Sequence, residues 1–408
     1  MTFNNFGMII FNKFYGIRMD KVKIVSIETY STPALCFVEV NFDNGIQGLG
    51  QTAPFSADIS AMVMHKQIAP AAVGKELPVS SDKNEIEEYV KKIAKNPLAA
   101  GSPGALCEEI ALKNYKHLGS HLFRTLSGLD TALWDALGKA AGKPVYSLLG
   151  GTRKSVGVYG SSMDRVMPEE EEAARMKALY ESGYGAFKLH CAHPNGNNVD
   201  TKPGRTEKVV KLVRKAIGDA ELYVDVNGNY SPEFAISKIP FLKDHGVSIL
   251  EEPCKYWELE ETRQVYEAAK KMGIMVSGGE QDYMMPQWRG YCNPPAVHVV
   301  QPDILYIGGF SRALLIAQMS HASGQKSTPH CANRSMLPVF SSHFLCVAKN
   351  AFPFMEYCIE KETWTENVVM DLPAVQNGKF LPSKKPGWGV YVNPDWLKKS
   401  VYQITKGK

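Results

Sequence analysis

From residue 186 onward, short apolar runs end in polar or ionisable residues at a nearly constant spacing. These residues are Lys188 with His190, Asp225 with Asn227, Glu251, Glu280, Asp303, His330 and Glu356. The intervals from Asp225 onward are 26, 29, 23, 27 and 26 residues. One strand plus one returning helix fills such an interval, so each residue is expected at a similar height on successive parallel strands. Capping a helix explains a single acid at a strand end. It does not explain seven consecutive strands in register. The runs "VGVYGSS", "GAFKLH", "LYVDVN", "VSILEEP", "IMVSGGE", "VHVVQPD", "KSTPHC" and "PFMEY" supply eight βα-type strands over roughly 200 residues, the size of a (β/α)8 barrel. A doubly wound sheet competes, but eight units are many for it, and no GxGxxG opens any of the helices. In a barrel these positions form the C-terminal rim, where active sites are built.

The 408-residue chain, 44% hydrophobic and 22% charged, is long enough for a second domain beside such a barrel. Residues 19–145 read as an α+β capping domain. "MDKVKIVSIETY" alternates through Val22 and Ile24, then Ile27 after a slip of one. In "FVEVNFDNGIQGLG", Asp43-Asn44-Gly45 between patterned runs signals a hairpin. Helical patterns run from Ser60 to Lys95 and from Leu106 to Gly142. In the second, Leu129, Leu133, Leu137 and Ala140 form an apolar stripe, with Gly142 and Pro144 as the stop. The barrel is assigned to 146–365. Residues 366–408, including "KPGWGVYVNPDW", are expected to pack back on the cap. The run Glu169–Glu172 after Pro168 reads as a solvated acidic helix start. Residues 1–18 read as an extension outside the fold, because the regular pattern starts only at "MDKVKIVSIETY", and not as a signal peptide, because Lys13 and Arg18 follow the apolar part.

Charge and cysteine usage exclude several classes. The net charge of +4 is small and mixed along the chain, with no basic run interleaved with aromatics, so nucleic acid is not an expected partner. No apolar stretch reaches the length of a membrane helix. The eight cysteines show neither CxxC nor zinc spacing, which points to reduced thiols in a cytoplasm. Cys191, Cys254 and Cys331 near the rim read as small apolar packers.

Asp225, Glu251 and Glu280 fall on three adjacent strands and should converge. Three carboxylates repel unless a cation binds among them, and an all-oxygen donor set with room for water and substrate suits Mg²⁺. Alternation points Glu251 inward and its neighbour Glu252 away. Asp303 and His330 follow one strand apart, an arrangement that fixes a histidine tautomer and raises its basicity. Lys188 and His190 share one strand face on the opposite side of the metal. A metal flanked by two bases suits removal of a proton α to a carboxylate, which needs a cation and donors aimed at the oxygens that gain charge.

"LDTALWDALGKAAGKPVYSLLGG", "VDVNGNY", "LEEP", "GGE", "QPDILYIGG" and "PH", in this order, resemble the mandelate-racemase-like subgroup of the enolase superfamily over nearly all of residues 20–390. Sites of that superfamily pair a Lys or His base with Mg²⁺. The resemblance implies Asp225, Glu251 and Glu280 as Mg²⁺ ligands, Asp303–His330 as one base and the second-strand pair as the other. It implies Glu356 as the acid that hydrogen-bonds a substrate carboxylate, and cap loops near Thr29–Ala34 and Gly50–Ala57 as the choosers of substrate. It also suggests a homo-oligomer. The usual Lys-x-Lys of the second strand is here Lys188-Leu189-His190, and His190 reads either as the base or as a hydrogen-bonding partner. The expected activity is a Mg²⁺-dependent dehydratase of an aldonate or aldarate, yielding a 2-keto-3-deoxy acid. A racemase or epimerase is the runner-up and a lactone cycloisomerase third. A non-catalytic acid-binding protein is the alternative of another class.

Overall fold

The computed structural model describes residues 21–78 and 82–407. The extension expected at 1–18 lies outside the described residues. The cap begins with three antiparallel strands, β1 (Val22–Ser31), β2 (Cys36–Phe42) and β3 (Gln47–Gln51). The slip in β1's alternation is a β-bulge between Ile24 and Ser26, which returns Ile27 to the buried face. Gly45, at φ +83, closes the hairpin between β2 and β3. The helices that follow are α1 (Ala57–Val63) and α2 (Ala69–Ala72), joined by a π-helical turn. A short strand β4 (Glu76–Leu77) precedes α3 (Lys83–Ile93), α4 (Pro103–Lys113) and α5 (Ser120–Ala141). Gly142, at φ +67, ends α5.

The apolar stripe underestimates α5. Nearly every residue from Leu122 to Gly138 is buried, including Thr125, Ser127, Asp130, Thr131 and Asp135. The helix lies between the cap sheet and the barrel, so its polar face is consumed by partners instead of water. Asp135 accepts from the amides of Leu49 and Trp388, both at 2.8 Å, and Trp134 Nε1 donates to Ser311 Oγ at 2.9 Å. On the sheet side the approach is backbone to backbone. A Cβ on Gly50 would lie 2.2 Å from the Gly128 carbonyl oxygen, and one on Gly48 only 2.0 Å from that of Ala132.

After α6 (Val145–Leu148) the barrel strands alternate with helices. They run β5 (Val156–Ser161), α7 (Glu169–Glu181), β6 (Ala186–His190), α8 (Arg205–Ile217), β7 (Glu221–Asp225), α9 (Pro232–Asp244) and β8 (Val247–Glu251). The second half is α10 (Leu259–Met272), β9 (Met275–Gly278), α11 (Met285–Cys292), β10 (Val299–Val300), α12 (Phe310–Ala322), β11 (Lys326–Ser327), α13 (Leu337–Val347) and β12 (Phe354–Cys358). Neighbouring strands from β5 to β11 pair in parallel. β12 pairs in parallel with β5, and the last seam closes through Ser327 and Ala351, where Phe352 N donates to Ser327 O at 2.8 Å. The eight strands therefore form a closed (β/α)8 barrel.

The tail serves both bodies. β13 (Val369–Met370) pairs with β16 (Tyr391–Val392), while β14 (Val375–Gln376) and β15 (Lys379–Phe380) form a hairpin whose second strand pairs with β5 of the barrel. Trp388 is buried against α5, donating from Nε1 to Thr131 O at 2.9 Å. After α14 (Pro394–Leu397), β17 (Val401–Lys406) completes the cap sheet beside β1. Glu169 and Glu172 are buried instead of solvated. Arg205 and Lys208 of α8 pair with Glu169, and Arg175 pairs with Glu172 one turn on.

Candidate active site

Strand pairing sets the site's register. His190 lies opposite Asp225, and Asp225 opposite Glu251, so three consecutive strands deliver their last inward side chains at one level. Glu280, Asp303 and His330 follow a few residues past β9, β10 and β11. All eight residues expected at the site are buried and gathered at the C-terminal end of the barrel.

Ligand atoms of Asp225, Glu251 and Glu280 lie within 4.8 Å of one another. Asp225 Oδ1 accepts from Asn227 N at 2.8 Å. Its Oδ2 sits 2.9 Å from His190 Nε2 and 3.3 Å from Lys188 Nζ but accepts no well-formed hydrogen bond. Burial would raise the Asp225 carboxyl, and the charges of His190 and Lys188 overcome it and hold it well below its ordinary value. Glu251 accepts from Gln301 Nε2 at 2.8 Å and contacts Lys188 Nζ. Burial, with help from Asp225, Glu356 and Glu280, pushes the Glu251 carboxyl up to about 8 despite Lys188. A buried carboxylate held that high gains from a proton or a cation. Together with the under-coordinated Asp225 Oδ2 and the all-oxygen donor set, this fits a hard divalent ion.

On one flank, His330 Nδ1 lies 2.7 Å from Asp303 Oδ2 and Nε2 lies 3.4 Å from Glu280 Oε2. The other Asp303 oxygen accepts from the amides of Leu305, at 2.7 Å, and Tyr306, fixing the carboxylate's direction. Burial disfavours a charged imidazole there, but Glu280 and the Asp303 hydrogen bond outweigh it and raise His330 well above its ordinary value. On the opposite flank, the Lys188 ammonium reaches Glu251, Asp225 and, at 2.8 Å, Glu356. Burial lowers it, and those carboxylates reverse the sign and keep it charged.

Glu356 is held by partners within the protein. Its Oε1 takes Lys188 and the Ser161 hydroxyl, at 2.8 Å each, and its Oε2 accepts from Cys331 N at 2.7 Å. Both oxygens are engaged within the protein. Glu252 departs from simple alternation. It sits at φ +41 just past the strand, buried, with one carboxyl oxygen unpartnered. Burial and the nearby charges of Glu280 and Asp225 raise it well above the carboxylate range.

Two contributors escape a search for titratable strand ends. Gln301 holds Glu251 and Ser161 holds Glu356. Gln301 was within reach, since in "QPD" it shares a strand face with Asp303. The cap enters through Gln51, which bridges Ser335 Oγ (2.8 Å) and Met336 N (2.9 Å) after β11. Four residues on, Phe55 packs on Trp364 at 5.0 Å between ring centres. Of the stretch Thr29–Ala34, Thr29 belongs to β1 and is buried against His65, and the loop starts at Thr32.

Residues 171–396 match the family described as enolase C-terminal domain-like. Residues 16–150 match the mandelate racemase / muconate lactonizing enzyme N-terminal domain. The chain belongs to this enolase-superfamily family. Among its curated members, a D-galactonate dehydratase of Pectobacterium atrosepticum is 26% identical over 92% of this chain and 96% of its own length. An arabinonate dehydratase of Saccharolobus solfataricus is 25% identical over 86% of each chain. A solved family structure from Roseobacter denitrificans, provisionally described as a racemase, is 38% identical. It superposes with a TM-score of 0.85 over 94% of this chain and 100% of its own. Among the described residues no helix is long and apolar enough to cross a membrane, and all eight cysteines are free and buried.

Proposed function

We propose that the protein is a Mg²⁺-dependent dehydratase of a sugar acid, an aldonate or aldarate. The observation that carries this reading is a carboxylate triad flanked by two acid–base groups, Asp303–His330 on one side and Lys188 with His190 on the other. Relatives named for galactonate and arabinonate dehydration support the substrate class. Asp225, Glu251 and Glu280 would hold Mg²⁺, which when bound would supply positive charge to stabilise a substrate carboxylate as it gains charge. Lys188 donates to the same carboxylate, and Glu356 acts through Lys188 by fixing its direction. His330 keeps its Nδ1 proton on Asp303 and works from Nε2. One acid–base group removes the α-proton. The C–H pair becomes the new C=C bond, the β C–O bond breaks, and a proton delivered to the departing hydroxyl makes water. The enol that remains tautomerises to the 2-keto-3-deoxy acid.

Bases on both faces also suit proton exchange in either direction, and the 38% identical structure described as a racemase favours epimerisation as the second reading. Buried free thiols support a reducing cytoplasm as the compartment. Screening aldonic and aldaric acids with magnesium for keto-acid formation tests the leading reading. Solvent deuterium entering the α-carbon without keto acid would transfer the assignment to an epimerase. Acids bound with neither outcome would make the protein a non-catalytic binder.

A further inference from the structure

The structure assigns Arg175 as a positioning residue for His190, acting through Ser162; the inference rests on the reading of His190 as one of the two acid–base groups. His190 Nδ1 meets the backbone carbonyl of Ser162. A carbonyl only accepts, so Nδ1 carries a proton, while Nε2 is the nitrogen turned toward the Asp225 carboxylate. The Nδ1 proton and the direction of the ring are therefore as secure as the Ser162 carbonyl is.

That residue is held from behind by a half-buried charged clamp that no catalytic step uses. Ser162 N donates to Lys188 O at 3.1 Å, which ties it to the strand bearing His190. The Ser162 hydroxyl accepts from Arg175 Nη2. Arg175 also donates to both oxygens of Glu172, at 2.9 and 3.2 Å, and through Nη1 to Glu360 Oε2 at 2.7 Å. Glu360 returns to the same stretch of backbone, its Oε1 accepting from Met163 N at 3.0 Å. One guanidinium fork thus joins α7, the loop after β12 and the exit of β5, gripping two consecutive residues. Ser162 and Glu172 are buried. A purely structural ion pair needs no such attachment to the residue whose carbonyl reads the imidazole.

The test uses the full chain with ¹⁵N-labelled histidine, metal-free and with magnesium chloride, the His190 signal being assigned by its loss in His190→Asn. The wild type should show Nδ1 protonated in every molecule. Ser162→Ala keeps the carbonyl and removes the grip, so a fraction with Nδ1 unprotonated should appear. Turnover should then fall about tenfold with KM unchanged, the scale of losing a partner that orients a working histidine. Ser162→Thr should restore both. Should Ser162→Ala not fold, Arg175→Lys, which keeps the charge but not the fork, is read the same way. Nδ1 still fully protonated in these variants would overturn the inference, as would its partial loss with undiminished turnover. A wild type that turns over no sugar acid would overturn the function instead, and the Nδ1 comparison, needing no substrate, would still decide whether the clamp holds the ring.

Discussion

Asp225 is the residue on which the metal reading is most exposed, since one of its oxygens lacks a proper hydrogen-bond donor. Asp225→Asn removes a charge at nearly constant shape. Magnesium affinity by calorimetry should drop by about a hundredfold, the upper end of what losing even an outer partner costs. Full activity of this variant in chelator would sink the metal site. For the bases, His330→Asn should lower turnover by about 10²–10⁴, the contribution of a positioned acid–base group. His190→Ala should stop deuterium exchange at the α-carbon if His190 abstracts that proton, and leave exchange intact if it only orients substrate. Unaltered exchange and turnover together would leave the Lys188–His190 pair without a role. The triad, the dyad and this pair were legible because alternation along a strand and one repeat between strands fix where those side chains point. Gln301 carried the same signal without a titratable group. Arg175 and Glu360 could not be read, because they meet only after the barrel closes across 185 residues of chain.

At the scale of elements, β3 against α5 shows how glycine writes a packing distance into the sequence. Gly50→Ala would drive a methyl into the Gly128 carbonyl, and overpacking of this kind costs about 1–3 kcal/mol. Denaturant titration should show the midpoint falling, while an unchanged midpoint would mean that helix and sheet can separate cheaply. The slip in β1 was visible as a broken alternation and is a bulge. The burial of α5 on all sides was not visible, because its polar residues look solvent-facing until Trp388, Leu49 and Ser311 arrive to satisfy them. Within Glu169–Glu172 the solvated reading holds for Glu170 and Glu171 and fails for Glu169 and Glu172. A helix start rich in acid looks wet from sequence, and only the fold brings Arg205 and Lys208 of α8 onto Glu169 and turns Arg175 onto Glu172.

For the whole molecule, acid should be destabilising in a defined window. Burial pushes His343 down to about 3. It likewise pushes His298, which also feels Lys270, down to about 4. In the unfolded chain both take protons near pH 6.5. The unfolded state therefore binds more protons below that value, and stability should fall as pH drops from about 6.5 toward 4 and on toward 3. Melting temperatures flat across this range would contradict the buried neutral imidazoles. The tail offers a second test. Deleting residues 400–408 removes β17 from the edge of β1, along with the Thr405 contact to His65, and should lower the melting temperature by about 5 °C. The pairing of β1 with β17 also has a temporal side. Ser31 and Val401 meet across 370 residues, and β5 must wait for β12 before its own sheet closes. During synthesis the first strands emerge long before their partners exist, so the barrel cannot close before β12 has left the ribosome, nor the cap sheet before β17. Folding of such a chain is slow by virtue of its long-range pairings, and it leaves strand edges of both sheets unpaired until their distant partners arrive.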